Sequence, residues 1–234
     1  MNCERFESRS KAANFKRGGP VYLPVERADA VFLLVQGRVK ICHITPDGKQ
    51  SILALIEPGE LFGELALYSD GEKRDEYAEA AEDSTVVMID GTAVHELMQT
   101  RADLSLGISK LIGMRRRPIE RRLRNLLFLS NRERLTHLLL ELVERYGRRV
   151  PRGIELTIRL SHQELANIIG STRETVTVVL GEMPREQLVE VARRKLIVCD
   201  LERLAASVSL EPPTPEVPSL LARSQKYDAG YPTI

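Results

Sequence analysis

One stretch, residues 160–180, constrains the fold of this chain more than any other: Leu-Ser-His-Gln-Glu-Leu-Ala-Asn-Ile-Ile-Gly-Ser-Thr-Arg-Glu-Thr-Val-Thr-Val-Val-Leu. It reads as two helices joined by a tight turn. Ser161 with Glu164 three residues on makes a capping box. Leu165, Ile168 and Ile169 give the first helix an apolar face, and Gly170 stands where that helix must take a left-handed conformation to stop. Ser171 or Thr172 caps the second helix, which Val176, Val179 and Leu180 bury. The opposite face then presents Thr172, Arg173, Glu174 and Thr175 in the first turn. A helix that enters the major groove of DNA needs short hydroxyls for phosphates there, plus side chains that reach base edges.

Charge is divided along the chain in a way that fits. The net charge is only +1. Residues 40–99 nevertheless carry 13 Asp/Glu against 4 Lys/Arg, and residues 110–152 carry 13 Lys/Arg against 4 Asp/Glu. An acidic part followed by a basic one suggests that only the later part meets a polyanion. The competing reading of the arginine run is a solvated helix face.

Before the basic segment, residues from about 14 to 92 read as β structure. Val31–Val35 is a buried strand, Val39–Ile44 alternates between two faces, and Asp47-Gly48 signals a hairpin. Residues 51–56 and 84–89 supply two further strands, with Pro58-Gly59 as punctuation. From Ala93 to Tyr146 apolar residues recur at helical spacing (Leu104, Ile108, Leu111, Ile112, Ile119, Leu123, Leu127), giving one long amphipathic helix or two in sequence. The stripe suits a dimer contact; simple packing on the β part is the alternative. Pro118 inside it predicts a kink or break. Residues 147–153 read as a basic loop and 154–158 as a short strand. Residues 188–191 and 195–198 read as a β-wing with Arg193 and Arg194 at its tip. Gln187 stands at a turn that ordinarily takes Gly or Asn, so some strain is expected there. The proline-rich residues from about 209 to 234 read as a disordered tail.

The expected fold class is therefore α+β: an N-terminal β-roll of the jelly-roll kind over residues 1–92, a long helix over 93–130, a winged helix-turn-helix over 131–208, and the tail. With Pro58-Gly59-Glu60-Leu61-Phe62-Gly63-Glu64-Leu65-Ala66-Leu67 in the roll and Gly170-Ser171-Thr172-Arg173-Glu174-Thr175-Val176 in the second helix, the chain resembles the cyclic-AMP receptor protein/FNR superfamily of bacterial transcription regulators. The likeness runs from about Phe15 to Ala205. The Ser-Thr-Arg…Thr-Val-Thr wording also looks like the cyanobacterial nitrogen-control branch.

For the roll, the resemblance implies an effector site at Gly63, Glu64, Leu65, Arg74 and Asp75, with Ile119 and Glu120 from the long helix. Glu64 would accept from a ribose hydroxyl and Arg74 would pair with a cyclic phosphate. Asp75 departs from the pattern, since a hydroxyl usually donates to the phosphate there. Two like charges at about 4 Å and an effective dielectric near 20 cost on the order of 4 kcal/mol. Ile119 and Glu120 likewise replace a pair of base-facing hydroxyls. Glu64 with Arg74 is then either a retained ligand site or a relic salt bridge, and a different effector, or constitutive activity, is favoured over a cyclic nucleotide.

For DNA, the resemblance implies Arg173 on guanine O6/N7, Glu174 on cytosine N4 and Val178 against a thymine methyl. Gln163, Thr172, Thr175 and Arg194 would meet phosphates. Val178 replaces a frequent Arg, so fewer specified base pairs per half-site are expected.

Other classes are weaker. Cys3, Cys42 and Cys199 form neither a disulfide framework nor a zinc spacing, so a reducing cytoplasm is expected. Cys3 alone cannot hold an iron-sulfur cluster. His43 and Cys42 point to opposite faces of a strand, against a haem site. Four scattered histidines and no phosphate-binding glycine loop give no enzyme signature. No signal peptide or membrane span is read in the sequence. The expectation is a cytoplasmic bacterial homodimer with double-stranded DNA and RNA polymerase as partners and no membrane contact. A cyclic-nucleotide sensor that does not act through DNA is the alternative.

Overall fold

The computed structural model describes residues 9–68, 72–192 and 195–215. Cys3, Arg193, Arg194 and most of the expected tail lie outside them. The chain divides between Leu123 and Arg124 into two compact units.

The first unit is a roll of two four-stranded antiparallel sheets, ordered β1-β8-β3-β6 and β2-β7-β4-β5. The strands are β1 (Ser10–Phe15), β2 (Pro20–Tyr22), β3 (Ala30–Gln36), β4 (Val39–Ile44), β5 (Gln50–Ile56), β6 (Leu61–Phe62), β7 (Tyr77–Ala80) and β8 (Ser84–Asp90). Between the sheets lie Tyr22, Phe32, Leu34, Val39, Ile41, Ile56 and Phe62. Each such side chain contributes about 1.5–3 kcal/mol on burial. The next residue along β3, Val31, faces the other way, onto Ile89, Val94 and Ile108. One strand thus serves two apolar layers, which is why its sequence is a continuous hydrophobic run rather than an alternation.

β4 alternates as expected, with Val39 and Ile41 in the intersheet core, but its other face is buried too over the first four residues. Val39, Lys40, Ile41 and Cys42 are all buried. β4 lies inside its sheet, between β7 and β5. Lys40 is accommodated by an ion pair with Glu79 on the neighbouring strand, at 2.9 Å.

Three helices follow the roll, α1 (Gly91–Thr100), α2 (Ala102–Phe128) and α3 (Asn131–Tyr146), and the whole apolar stripe read from Leu104 to Leu127 lies on α2, one long helix. Asp90 caps α1 through the Thr92 and Ala93 amides, and Ser130 with Glu133 forms a capping box on α3. α2 runs through Pro118 without the expected break. Proline removes one backbone bond, but the flanking turns are fastened to the roll. Arg115 donates to Glu64 and to the Leu61 carbonyl, and Arg122 donates to the Leu53 carbonyl at 3.1 Å. The apolar stripe of α2 divides: Leu104, Ile108 and Ile112 pack on the roll, whereas Ile119, Leu123 and Leu127 are exposed. No helix among the described residues is long and apolar enough to cross a membrane.

In the second unit, a sheet of order β11-β12-β10-β9 accompanies α3, α4 (His162–Ile169), α5 (Arg173–Glu182) and α6 (Leu201–Ala206). The strands are β9 (Gly147–Val150), β10 (Gly153–Leu156), β11 (Val189–Ala192) and β12 (Lys195–Val198). The expected basic loop at 147–153 is instead a hairpin, β9 pairing with β10. Its cations are drawn to acidic neighbours, Arg148 to Glu155 at 2.7 Å and Arg152 to Glu190 at 3.4 Å. The wing strands pair as expected, from Val189 opposite Val198 to Ala192 opposite Lys195.

Candidate functional site

α4 and α5 are set by their caps. Ser161 accepts the Glu164 amide while Glu164 reaches back to the Ser161 amide. Gly170 ends α4 in the left-handed region, at φ 65°. Arg134 of α3 donates to the carbonyls of Ile169 and Gly170 at 2.8 and 3.1 Å, satisfying the end of α4. Thr172, rather than Ser171, caps α5 by accepting the Thr175 amide. Leu165, Ile168 and Ile169 of α4 and Val176, Val179 and Leu180 of α5 are all buried.

This packing fixes what faces outward. Arg173, Glu174 and Val178 are exposed on one side of α5. Neither Arg173 nor Glu174 makes a side-chain hydrogen bond or ion pair among the described residues, so neither charge is spent internally. The other polar groups of this face are internally positioned. Gln163 donates to Asn167 at 2.8 Å, and the Thr172 and Thr175 hydroxyls share a hydrogen bond at 3.0 Å. The Thr177 hydroxyl, which the sequence reading passed over, donates to the Arg173 carbonyl and meets His162 Nδ1 at 2.9 Å, tying α4 to α5. Arg194 lies outside the described residues. Gln187 does take a positive φ, 59°, at the turn into the wing.

In the roll, a cavity of about 300 Å³ is lined by Ile41, Leu53, Ala54, Gly63, Glu64, Leu65, Glu76, Ile112, Arg115, Arg116 and Ile119. It brings together four residues singled out from the sequence: Gly63, Glu64, Leu65 and Ile119. It does not bring in Arg74, Asp75 or Glu120. Asp75 is exposed, and Glu120 is an exposed partner of Arg116.

Glu64 is not paired with Arg74. Its carboxylate is held by Arg115 at 2.5 Å, with side-chain exposures of 9% for Glu64 and 18% for Arg115. Arg74 is turned into the protein. Its guanidinium donates to the Ala30 carbonyl at 2.6 Å and lies 4.2 Å over the Tyr22 ring, and its buried Nε has no acceptor among the described residues. Gly63, at φ 69°, is needed for this arrangement: a Cβ there would stand 2.9 Å from the Phe32 ring and 3.1 Å from the Arg74 guanidinium. These residues do not fit a cyclic phosphate. The ribose acceptor is already engaged, and the phosphate-pairing arginine is folded beneath Gly63.

The sequence reading missed Arg115 and Glu76. Arg115 lies in an Arg-Arg-Arg run that carried no mark of its partner 51 residues earlier. Glu76 accepts from the Tyr22 hydroxyl at 2.7 Å. Burial, above all, raises its carboxyl from the usual glutamate range.

Comparison with known proteins places both units. Residues 12–101 match the model of a cyclic nucleotide-binding domain, and residues 133–207 that of a Crp-like helix-turn-helix domain. The CRP-like cAMP-activated global transcriptional regulator of Mycobacterium tuberculosis is 28% identical, across 82% of this chain and 85% of its own. The global nitrogen regulator of Synechococcus elongatus is 30% identical, across 79% of this chain and 83% of its own. A solved CRP/FNR-family transcriptional regulator from Thermus thermophilus is 31% identical, covers 85% of this chain and 98% of that one, and superposes with a TM-score of 0.66. With a roll, a long helix and a capped helix-turn-helix in the same order as these relatives, the chain belongs to the CRP/FNR family and is a DNA-binding transcription regulator.

Proposed function

We propose that the protein acts as a homodimer on a palindromic operator, reads bases from the first turns of α5, and is gated through the roll by an effector other than a cyclic nucleotide. The observation that carries the DNA part is the exposed, uncommitted pair Arg173 and Glu174 at the start of a helix whose other face is buried. Arg173 donates to guanine O6/N7 and Glu174 accepts from cytosine N4. Val178, with no donor, packs on a thymine methyl. Gln163, Thr172, Thr175 and Arg194 meet phosphates and set the register without carrying sequence. The exposed apolar residues Leu123 and Leu127 of α2 support dimerisation, which a two-fold symmetric site requires. RNA polymerase is the further partner in this reading.

The test is fluorescence anisotropy on a palindrome enriched from a random duplex pool, at two salt concentrations. Arg173→Ala weakens that duplex by about 1–3 kcal/mol and leaves a scrambled duplex unchanged. Equal weakening on both would refute base reading. Cyclic AMP leaves wild-type binding unchanged; binding that required the nucleotide would refute the effector reading.

A further inference from the structure

The roll cavity contains an acidic group that no described cation contacts directly. Glu76 lines the cavity and accepts one hydrogen bond, from Tyr22, among the described residues. No described cation forms an ion pair with it; the guanidiniums of Arg74 and Arg115 act on it only through space. Arg115 is engaged by Glu64 and the Leu61 carbonyl, and Arg74 by the Ala30 carbonyl. Apart from Glu64, Arg115 and Arg116, the rest of the lining is largely hydrocarbon, with Leu53, Ile112 and Ile119 among it. The volume, about 300 Å³, is at the small end of ligand pockets.

An anionic ligand entering this space would meet two carboxylates, and both guanidiniums of the lining are already paired, Arg115 with Glu64 and Arg116 with Glu120. A ligand with an apolar body and a cationic head meets the opposite situation. Its body covers the hydrocarbon walls and its head supplies the direct ionic contact that Glu76 lacks among the described residues. We propose that the cavity binds a small organic amine, the ammonium donating to the Glu76 carboxylate and the hydrocarbon packing against Leu53, Ile112 and Ile119. The proposal rests on the reading of this cavity as the effector site. Desolvation, the largest cause, raises the carboxyl of half-buried Glu76, and Glu64 adds to this while the Tyr22 hydrogen bond, Arg74 and Arg115 oppose it.

The experiment is isothermal titration calorimetry on the full chain with two matched series: benzylamine, benzyl alcohol and benzoate, then hexylamine, hexanol and hexanoate, with cyclic AMP alongside. Each amine is expected to bind at least about tenfold more tightly than its alcohol, and the acids not to bind. Glu76→Gln keeps the acceptor for Tyr22 but removes the charge, and is expected to erase the amine preference while still binding the palindromic duplex. An amine preference that persists in Glu76→Gln would overturn the proposal. So would tighter binding of the acids or of cyclic AMP, or the absence of binding by every amine. DNA affinity is measured on the same samples. If an acid or cyclic AMP binds and changes DNA affinity, the ligand class fails and the effector reading stands. If an amine binds through Glu76 with no change in DNA affinity, the ligand class stands and the effector reading fails.

Discussion

Arg115→Ala gives the sharpest test of how the roll holds its long helix. The pair it breaks is largely withdrawn from water, with the Glu64 side chain 9% exposed and that of Arg115 18% exposed. Screening by solvent is therefore small. Unit charges about 4 Å apart at an effective dielectric near 20 attract by about 4 kcal/mol. Most of that offsets desolvation in the intact protein, so the pair itself adds little. Removing one partner is different, because the buried carboxylate keeps its desolvation cost and loses its compensation, typically about 3–5 kcal/mol. The substitution also frees the Leu61 carbonyl. A loss of about 3 kcal/mol is expected in the first unit, which lowers its calorimetric midpoint by roughly 10 °C. Adding Glu64→Gln to Arg115→Ala should restore most of the loss, since a neutral amide tolerates the site. The assay is differential scanning calorimetry on the wild type, both single variants and the double variant, read as a thermodynamic cycle. Strictly additive effects, or an Arg115→Ala cost under about 1 kcal/mol, would refute the argument.

Further outcomes follow from other features. Gln187→Gly should stabilise the second unit by about 0.5–1 kcal/mol, because glycine takes the positive φ at that turn without a Cβ penalty; an unchanged urea midpoint contradicts this. Thr172→Ala removes the cap of α5 and should cost about 1 kcal/mol in the same assay, whereas Thr172→Ser should cost far less. The folded-state carboxyl of Glu76 lies above its unfolded value, so the folded protein holds this proton more tightly. Its contribution to stability is complete below about pH 4.3, the unfolded value, and is lost as pH rises through the folded one. Glu76→Gln should therefore gain on the wild type from acid toward neutral pH, and a constant difference would contradict the assignment.

What the sequence made legible was governed by range. The helix-turn-helix depends on Ser161, Glu164, Gly170 and Thr172, each acting within four residues of itself, and it appears with the expected caps. β3, β5, β8 and the wing were readable from apolar runs and turn residues. β1, with the sequence Ser-Lys-Ala-Ala-Asn-Phe, has little apolar signal and exists because β8 pairs along its whole length. β9 lay in a Gly-Arg-Arg-Val-Pro-Arg-Gly segment whose punctuation resembles a loop; β10 makes it a strand. In the cavity, Gly63, Glu64 and Leu65 were visible through a local motif. Arg115 and Glu76 were not, because their roles depend on partners brought close only by the fold. Arg74 was readable as a residue but not as a rotamer, since its inward turn depends on the Tyr22 ring and the Ala30 carbonyl.

Pro118 carries a consequence for how α2 opens. Having no N–H, it leaves the Met114 carbonyl without its usual donor four residues on, and the gap falls between Arg115 and Ile119, both cavity residues. Amide exchange along the helix should then change character at that turn. Residues before it share the protection of the roll through Ile108 and Ile112. Among residues after it, Arg122 donates to the Leu53 carbonyl of the roll, while Ile119, Leu123 and Leu127 are exposed. The helix is continuous in shape but divided in cooperativity, so its second half can fray at lower free energy than its first, and the wall of the cavity spans the seam.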